Sequence, residues 1–264
     1  MKKIRFTKMH GIGNDYVYFT EMPCAEEDLP ELSRKLSDRH CGVGGDGIIL
    51  VLPSEVADFK MRIFNADGSE ARMCGNGSRC VGKLVYDKGL TKSTTITLET
   101  LGGIKTLELH PGEDGLIDSV TVDMGQAVTS APLHLQGHDV IPVDVGNPHG
   151  VEFIDCDPDD YPVLTLGPKL EFDPAWPDRA NIEFAQITGP GRIKMRVWER
   201  GSGETMACGT GACAVAAAAL ATHRCGRDAV ISLPGGDLSI SLGSDGHVRM
   251  TGPAATAFEG SILI

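Results

Sequence analysis

The chain has 264 residues, 41% of them apolar and 23% charged. This is the make-up of a globular protein of one large or two small domains, and it excludes a disordered tail, a collagen-like repeat and a coiled coil. Lys and Arg number 24 against 36 Asp and Glu, so the net charge is −12; phosphate backbones and anionic lipid are repelled, and neither nucleic acid nor membrane is an expected partner.

In chain order, Met1 to Gly11 leads into no apolar run, so no secretory signal is expected. Gly42 to Gly47 fits G-x-G-x-x-G, but it precedes the apolar strand Ile48 to Leu50, the wrong order for a dinucleotide loop. Lys60 to Phe64 reads as a strand. A helix is expected after Cys74-Gly75-Asn76-Gly77, running to about Lys88 and stopping at Gly89. Within it, Gly77 to Lys83 fits G-x-x-x-x-G-K, but Leu84 stands where a hydroxyl must meet magnesium. Leu116 to Val122 alternates as a strand, and the segment from Gly125 to Pro142 has the composition of a join. Lys194 to Trp198 is a further strand. A second helix follows Cys208-Gly209-Thr210-Gly211 and runs to about His223; its G-x-G-x-x-A pattern lies too far from a strand for a nucleotide loop. From Ala212 to Ala221 this helix is apolar for ten residues, half of the roughly 20 that span a membrane. A helix apolar on all sides is buried on all sides. The first helix has a wetter side at Arg79, Lys83 and Asp87. Leu238 to Leu242 alternates as a late strand.

The two cysteine segments belong to an internal repeat. Lys60 to Gly77 and Lys194 to Gly211 align without a gap at an offset of 134, with seven of eighteen positions identical. Gly13-Asn14 matches Gly146-Asn147, and one inserted residue then aligns Val17 and Phe19 with Val151 and Phe153. The expected organisation is therefore α/β (α+β), with two pseudo-symmetric repeat domains. Residues 1–130 carry Cys74 and residues 131–264 carry Cys208; the C-terminal strand is free to return to the first unit. Each would be a mostly antiparallel, barrel-like sheet, curled or closed, around one helix.

Most of the eight cysteines are expected to be small buried apolar residues, reduced in a cytoplasmic protein. Cys74 and Cys208 stand apart because each sits at a helix start. There, unpaired N–H groups and the helix dipole bind a carboxylate and lower a thiol pKa. Two such sites in halves related by a pseudo-twofold would place thiols on opposite faces of one small molecule. Inverting a carbon stereocentre needs a base on one face and an acid on the other, with no cofactor. Metal is not expected: there is no H-E-x-x-H or C-x-x-C, and the histidines are scattered. A non-catalytic amino-acid-binding protein and a thiol redox protein remain as alternatives; binding alone needs no thiol.

At these residues the chain resembles the diaminopimelate epimerases. The matching stretches are Asn14 to Val17, Asn65 to Glu70, Met73 to Gly77, Gly146 to His149, Arg179 to Phe184 and Glu199 to Gly211. The related proline racemases share the two-cysteine plan but match less well around Asn76 and Glu199-Arg200. The resemblance implies a cofactor-independent epimerase that converts LL-2,6-diaminoheptanedioate to the meso form, in a cytoplasmic homodimer. It implies that Cys74 and Cys208 are the acid–base pair and that the amides of Gly75, Asn76, Gly209 and Thr210 hold the reacting carboxylate. Asn14, Asn65, Asn147, Asn181 and Arg200 would hold the other polar groups, with Glu199 and His149 near the reacting ammonium. Gly47 stands where some members carry Gln, and Arg72 and Ser78 stand in the first cysteine loop where other residues are usual.

Overall fold

A computed structural model describes residues 3–263. The chain divides into two compact units. One takes the chain up to Val122 and again from Gly252 onward; the other takes Asp123–Thr251.

The first unit contains β1 (Lys3–Gly11), β2 (Asn14–Phe19), α1 (Leu29–Ser37), β3 (Gly47–Leu52), β4 (Phe59–Asn65), β5 (Glu70–Ala71), α2 (Gly75–Asp87), β6 (Thr95–Thr100), β7 (Gly103–Pro111) and the start of β8 (Ile117–Gln126). The last strand of the chain, β19 (Ala255–Leu263), completes it by pairing antiparallel with β1 from Lys3↔Leu263 to His10↔Ala255. Antiparallel pairs β1–β2, β3–β4, β6–β7 and β7–β8 are joined by two parallel pairs, β2–β3 and β4–β6. A parallel pair needs a crossover, and α1 and α2 supply the two crossovers.

The second unit holds the end of β8, then β9 (Val128–Thr129), β10 (Leu133–Leu135), β11 (His138–Asp144), β12 (Pro148–Phe153), α3 (Val163–Glu171), β13 (Asn181–Gly189), β14 (Arg192–Glu199), β15 (Gly203–Glu204), α4 (Gly209–Ala221), β16 (Asp228–Leu233), β17 (Gly236–Leu242) and β18 (His247–Pro253) up to Thr251. Its pairings repeat the first unit's plan. They are antiparallel β11–β12, parallel β12–β13, antiparallel β13–β14, parallel β14–β16 and antiparallel β16–β17–β18. β9 pairs with β11 as β19 pairs with β1. The fold is thus mixed α/β with a repeated unit. The sheets curl but, among the described residues, are not closed barrels.

The sequence alignment of the repeat shifts by one residue in β2. In the parallel ladders Tyr16 pairs with Gly47, and His149 pairs with Asn181. Gly47 and Asn181 are 134 apart, so Tyr16 matches His149, and Val17 matches Gly150 rather than Val151. The cause is the β11–β12 connection, which is one residue shorter than the β1–β2 connection when measured between the equivalent pairs His10↔Asp15 and Asp144↔Pro148. A one-residue slip reverses the face of every side chain, so the correction decides which residues share a surface.

α2 and α4 are the central helices. α2 touches β19, β1 and β2 at one end of the strand order and β7 toward the other, so the sheet wraps it. α4 touches β9, β11, β12, β13, β16 and β17, and Gly211–Ala219 is buried without a break. Its alanines let the sheet approach on every side. Contrary to the wetter side expected of α2, Arg79 is 0% exposed, with Nε 3.2 Å from the Pro253 carbonyl and Nη1 2.9 Å from Asn76 Oδ1. Lys83 and Asp87 are also mostly covered, paired with each other at 2.8 Å and bonded to the Ile117 backbone.

Sequence reading expected one helix per unit, and each unit has a second. α1 was legible in the spacing of Leu29, Leu32 and Leu36, which pack on Val17, Phe19, Ile48, Leu50 and Phe64. α3 was masked by Gly167 and Pro168; a Cβ at Gly167 would lie 2.5 Å from the Trp198 side chain, so the glycine permits the helix to pack there. Both faces of the central strands are therefore covered, one by the crossover helix before them and the other by α2 or α4.

In α2, a Cβ at Gly82 would lie 2.7 Å from Leu109 Cδ2 and 3.3 Å from Leu107 Cδ2. Gly82→Leu should destabilise the protein by about 1–3 kcal/mol through overpacking, lowering Tm by several degrees in a thermal melt. An unchanged Tm would show that β7 yields at no cost.

Candidate active site

Each central helix starts on a cysteine. Cys74 (φ −139°, ψ 115°) and Cys208 (φ −120°, ψ 108°) have extended backbones and occupy the N-cap. Each sulfur accepts the N–H two residues into the helix, Gly77 or Gly211, at 3.3 Å. Sulfur thus takes the place usually held by a Ser, Thr or Asp oxygen. Sequence reading put the helices after the Cys-Gly-x-Gly segments; they begin at Gly75 and Gly209, because the thiol cap draws both glycines into the first turn. They end at Asp87 and Ala221, one and two residues early.

The glycines at the caps are steric requirements. A Cβ on Gly77 would stand 2.7 Å from Ile49 Cδ1, and one on Gly211 would stand 2.8 Å from Glu183 Oε1. Ile49 and Glu183 are 134 apart and occupy the same place in the two units. The units therefore surround their thiols with the same backbone and different chemistry.

Around Cys74 the groups are neutral. Its Sγ–H donates to Asn14 Oδ1 at 3.3 Å, and Asn14 Nδ2 donates to Asp46 Oδ2 at 2.7 Å, which fixes the amide with its oxygen toward the thiol. Asp46 is held in turn by Arg39 at 3.0 Å. Arg39 also pairs with Asp15 at 2.8 Å, and Asp15 pairs with Lys8 at 2.5 Å. Burial pushes the Asp15 carboxyl up, but Arg39 and Lys8 outweigh it and hold it below its usual range. Asn65 lies at the end of β4 with Nδ2 on Ser69 Oγ at 3.1 Å. Asn76 is buried at the second position of α2, with its side-chain oxygen on Arg79. Gly47 sits opposite Asn65, and a Cβ there would lie 2.1 Å from the Phe64 carbonyl oxygen, so this chain admits no side chain at that position without backbone movement. Ser78 bonds its own helix start, Oγ to the Cys74 carbonyl at 2.9 Å, and Arg72 reaches the Leu101 carbonyl at 3.5 Å.

Around Cys208 the groups are ionisable. The expected residues Asn147, His149, Asn181, Glu199, Arg200 and Thr210 come together within the second unit. His149 Nε2 lies 3.2 Å from Asn147 Oδ1 and 3.5 Å from Asn181 Nδ2, and Asn181 Oδ1 accepts the Arg200 N–H at 2.7 Å. The Arg200 guanidinium reaches only the Asp178 carbonyl, at 2.8 Å, and has no carboxylate partner among the described residues. Glu199 accepts a hydrogen bond from Thr205 Oγ1. Burial raises the Glu199 pKa, against the opposing effect of the Thr205 hydrogen bond. Cys208 is 5% exposed, with Thr210 Oγ1 at 3.5 Å. Burial pushes its thiol well above the ordinary range, and the charges of Glu199 and Glu183 add to this. The helix start was expected to lower the thiol pKa. At Cys208 the cap and the Thr210 contact do act that way, and desolvation with two carboxylates outweighs them. Sequence reading missed Glu183; a charged residue between Ile182 and Phe184, which pack against α3, must face the opposite side, toward α4.

All eight cysteines are free thiols. No group of metal-ligating side chains occurs among the described residues, and no helix there is long and apolar enough to cross a membrane.

Because the Cys208 thiol is raised, its alkylation by iodoacetamide should set in only at high pH. In Glu199→Gln one of the charges opposing the thiolate is gone, so the onset at Cys208 should move to lower pH. Peptide mapping across a pH series checks both, and an onset that stays fixed in the variant would remove Glu199 from the thiol's environment.

Comparison with known proteins identifies the family and the fold. A family model described as diaminopimelate epimerase matches residues 6–130 and 141–257. The diaminopimelate epimerase of Phocaeicola vulgatus is 51% identical, covering 98% of each chain, and that of Methanococcus maripaludis strain C6 is 48% identical, covering 99% of this chain and all of its own. Among solved structures, a PhzF-family phenazine biosynthesis protein of Bacillus anthracis superposes with a TM-score of 0.79 at 18% identity over both whole chains. A hydroxyproline epimerase of Agrobacterium vitis superposes with a TM-score of 0.73 at 17% identity, over 99% of this chain and 91% of its own. At these identities the two structures establish the shared fold. The matched family model and the near full-length relatives establish that the chain belongs to the diaminopimelate epimerase family.

Proposed function

We propose that Cys74 and Cys208 are the acid–base pair of a cofactor-independent isomerase that converts LL-2,6-diaminoheptanedioate to meso-diaminoheptanedioate, in lysine and peptidoglycan-precursor synthesis. The observation that carries the reading is the duplicated cap: the same thiol, bonded at the same distance to the same amide, at the start of a buried helix in each unit. One sulfur, as thiolate, takes the Cα proton and forms S–H, while the C–H electron pair spreads onto the carboxylate. The other, as thiol, gives its proton to the opposite face and becomes thiolate. The raised Cys208 thiol suits the donor role in one direction of turnover.

The developing negative charge needs donors that are already in place. The first N–H groups of an α-helix have no intrahelical acceptor, so the amides of Gly75, Asn76, Gly209 and Thr210 are assigned to the reacting carboxylate. Asn14, Asn65, Asn147 and Asn181 are neutral amides suited to a ligand that is zwitterionic at each end. Glu199 and His149 are assigned to the reacting ammonium and Arg200 to the distal carboxylate. The Arg200 repeat partner is Ala66, so the fold itself does not call for a guanidinium there. Eight free thiols fit a reducing, cytoplasmic compartment, and the assembly is proposed to be a homodimer.

In D₂O the protein should exchange deuterium into Cα of LL-diaminoheptanedioate and leave proline unlabelled. Cys74→Ala and Cys208→Ala should each abolish epimerisation while the protein still folds, its Tm lower by a few degrees for the loss of a helix cap worth about 1 kcal/mol; normal turnover by either folded variant would refute the two-thiol assignment. Arg200→Lys should lower kcat/KM for diaminoheptanedioate by about 10- to 150-fold, because an ammonium cannot reproduce the paired hydrogen bonds of a guanidinium. Its thermal stability should hardly change. A loss of activity that merely follows unfolding would take Arg200 out of the binding set.

A further inference from the structure

We propose that Glu183 is a positioning residue of the reaction, which fixes the His149 ring with its proton on Nδ1 and so leaves Nε2 as the nitrogen that serves the site. Glu183 is fully buried on β13, and its Oε1 lies 2.6 Å from His149 Nδ1, itself fully buried on β12. A carboxylate can only accept, so the Nδ1 side of this contact is N–H. Nε2 then carries a lone pair toward the site: Asn181 Nδ2 faces it as a donor at 3.5 Å, while Asn147 Oδ1 at 3.2 Å, itself an acceptor, bonds the ring only once Nε2 takes up a proton. The inference rests on the reading above, in which those amides and His149 meet the substrate.

Three observations separate this role from packing. The first unit places Ile49 at the equivalent position, against Gly77 as Glu183 stands against Gly211, so an apolar side chain fills the space in the same fold. Tyr16 there matches His149, so the carboxylate and the imidazole occur together in one unit and are absent together from the other. Finally, Glu183 Oε2 is buried without a hydrogen-bond partner among the described residues, an arrangement that costs stability. A purely structural role would be better filled by the isoleucine of the first unit. The charged groups that face the imidazole are Glu183 from β13 and Glu199 from β14, while β11 presents Val143 opposite it.

The test combines kinetics with ¹⁵N NMR of His149, its signal assigned by its loss in His149→Asn. Glu183→Ile, and Glu183→Met in case the branched side chain prevents folding, keep bulk without an acceptor. Either should lose the fixed Nδ1–H form and lower kcat by about tenfold or more with little change in KM. Glu183→Gln offers an acceptor oxygen at the same place and should restore the Nδ1–H form and most of kcat. A folded Ile or Met variant with the wild-type ring form and kcat would overturn the proposal, as would a Gln variant no better than they are. Because the ring form is read without substrate, its failure is separate from any failure of wild-type protein to epimerise diaminoheptanedioate, which would instead overturn the functional reading.

Discussion

A sulfur atom caps each buried helix, and the rest of the architecture follows from satisfying that contact. The cap fixes the thiol against the first turn, where peptide dipoles favour negative charge, and the absent side chains at Gly77 and Gly211 let a neighbouring strand close over it. The helix must then be enclosed. In α4 this is done with alanine, and in α2 with a mixture that includes a fully buried arginine bonded to Asn76 and a backbone carbonyl. An arginine can be buried here because its hydrogen bonds run to fixed acceptors on the helix start and at the end of β18.

On this common frame the two units have diverged in charge. Ile49, Tyr16 and Asn65 in one correspond to Glu183, His149 and Glu199 in the other. Both thiols sit on equivalent backbone, so the contrast in their surroundings arises from side chains alone. The neutral surroundings of Cys74 are themselves tied to a charged network, in which Lys8, Arg39, Asp15 and Asp46 set the direction of the Asn14 amide. The ionisable surroundings of Cys208 lie inside the protein, where burial dominates their behaviour. The pseudo-symmetry is thus geometric and not electrostatic.

Much of this was legible in the residues. The Cys-Gly-x-Gly repeats, the unbroken apolar run after Cys208 and the alternating strands gave the units, the central helices and the thiols. What escaped depended on contacts distant in sequence. Glu183 reads as an ordinary outward residue of a strand until α4 is seen to cover that face. Arg79 reads as solvated until its carbonyl partner at Pro253, 174 residues away, closes over it. The slip between Val17 and Gly150 came from a turn shortened by one residue, a change too small to register in an alignment of dissimilar side chains. α3 was hidden because its glycine and proline, ordinarily breakers, serve its close packing on Trp198.

The pairing of β19 with β1 also bears on synthesis. The second unit is continuous, from Asp123 to Thr251. The first unit is split: β19, the strand that covers the outer edge of β1, is translated only after the whole of the second unit. On the ribosome, the unit encoded later is therefore the first to have its full complement of strands. The earlier one waits with an unpaired strand edge, a site open to mispairing and a natural place for chaperone attention, until β19 emerges.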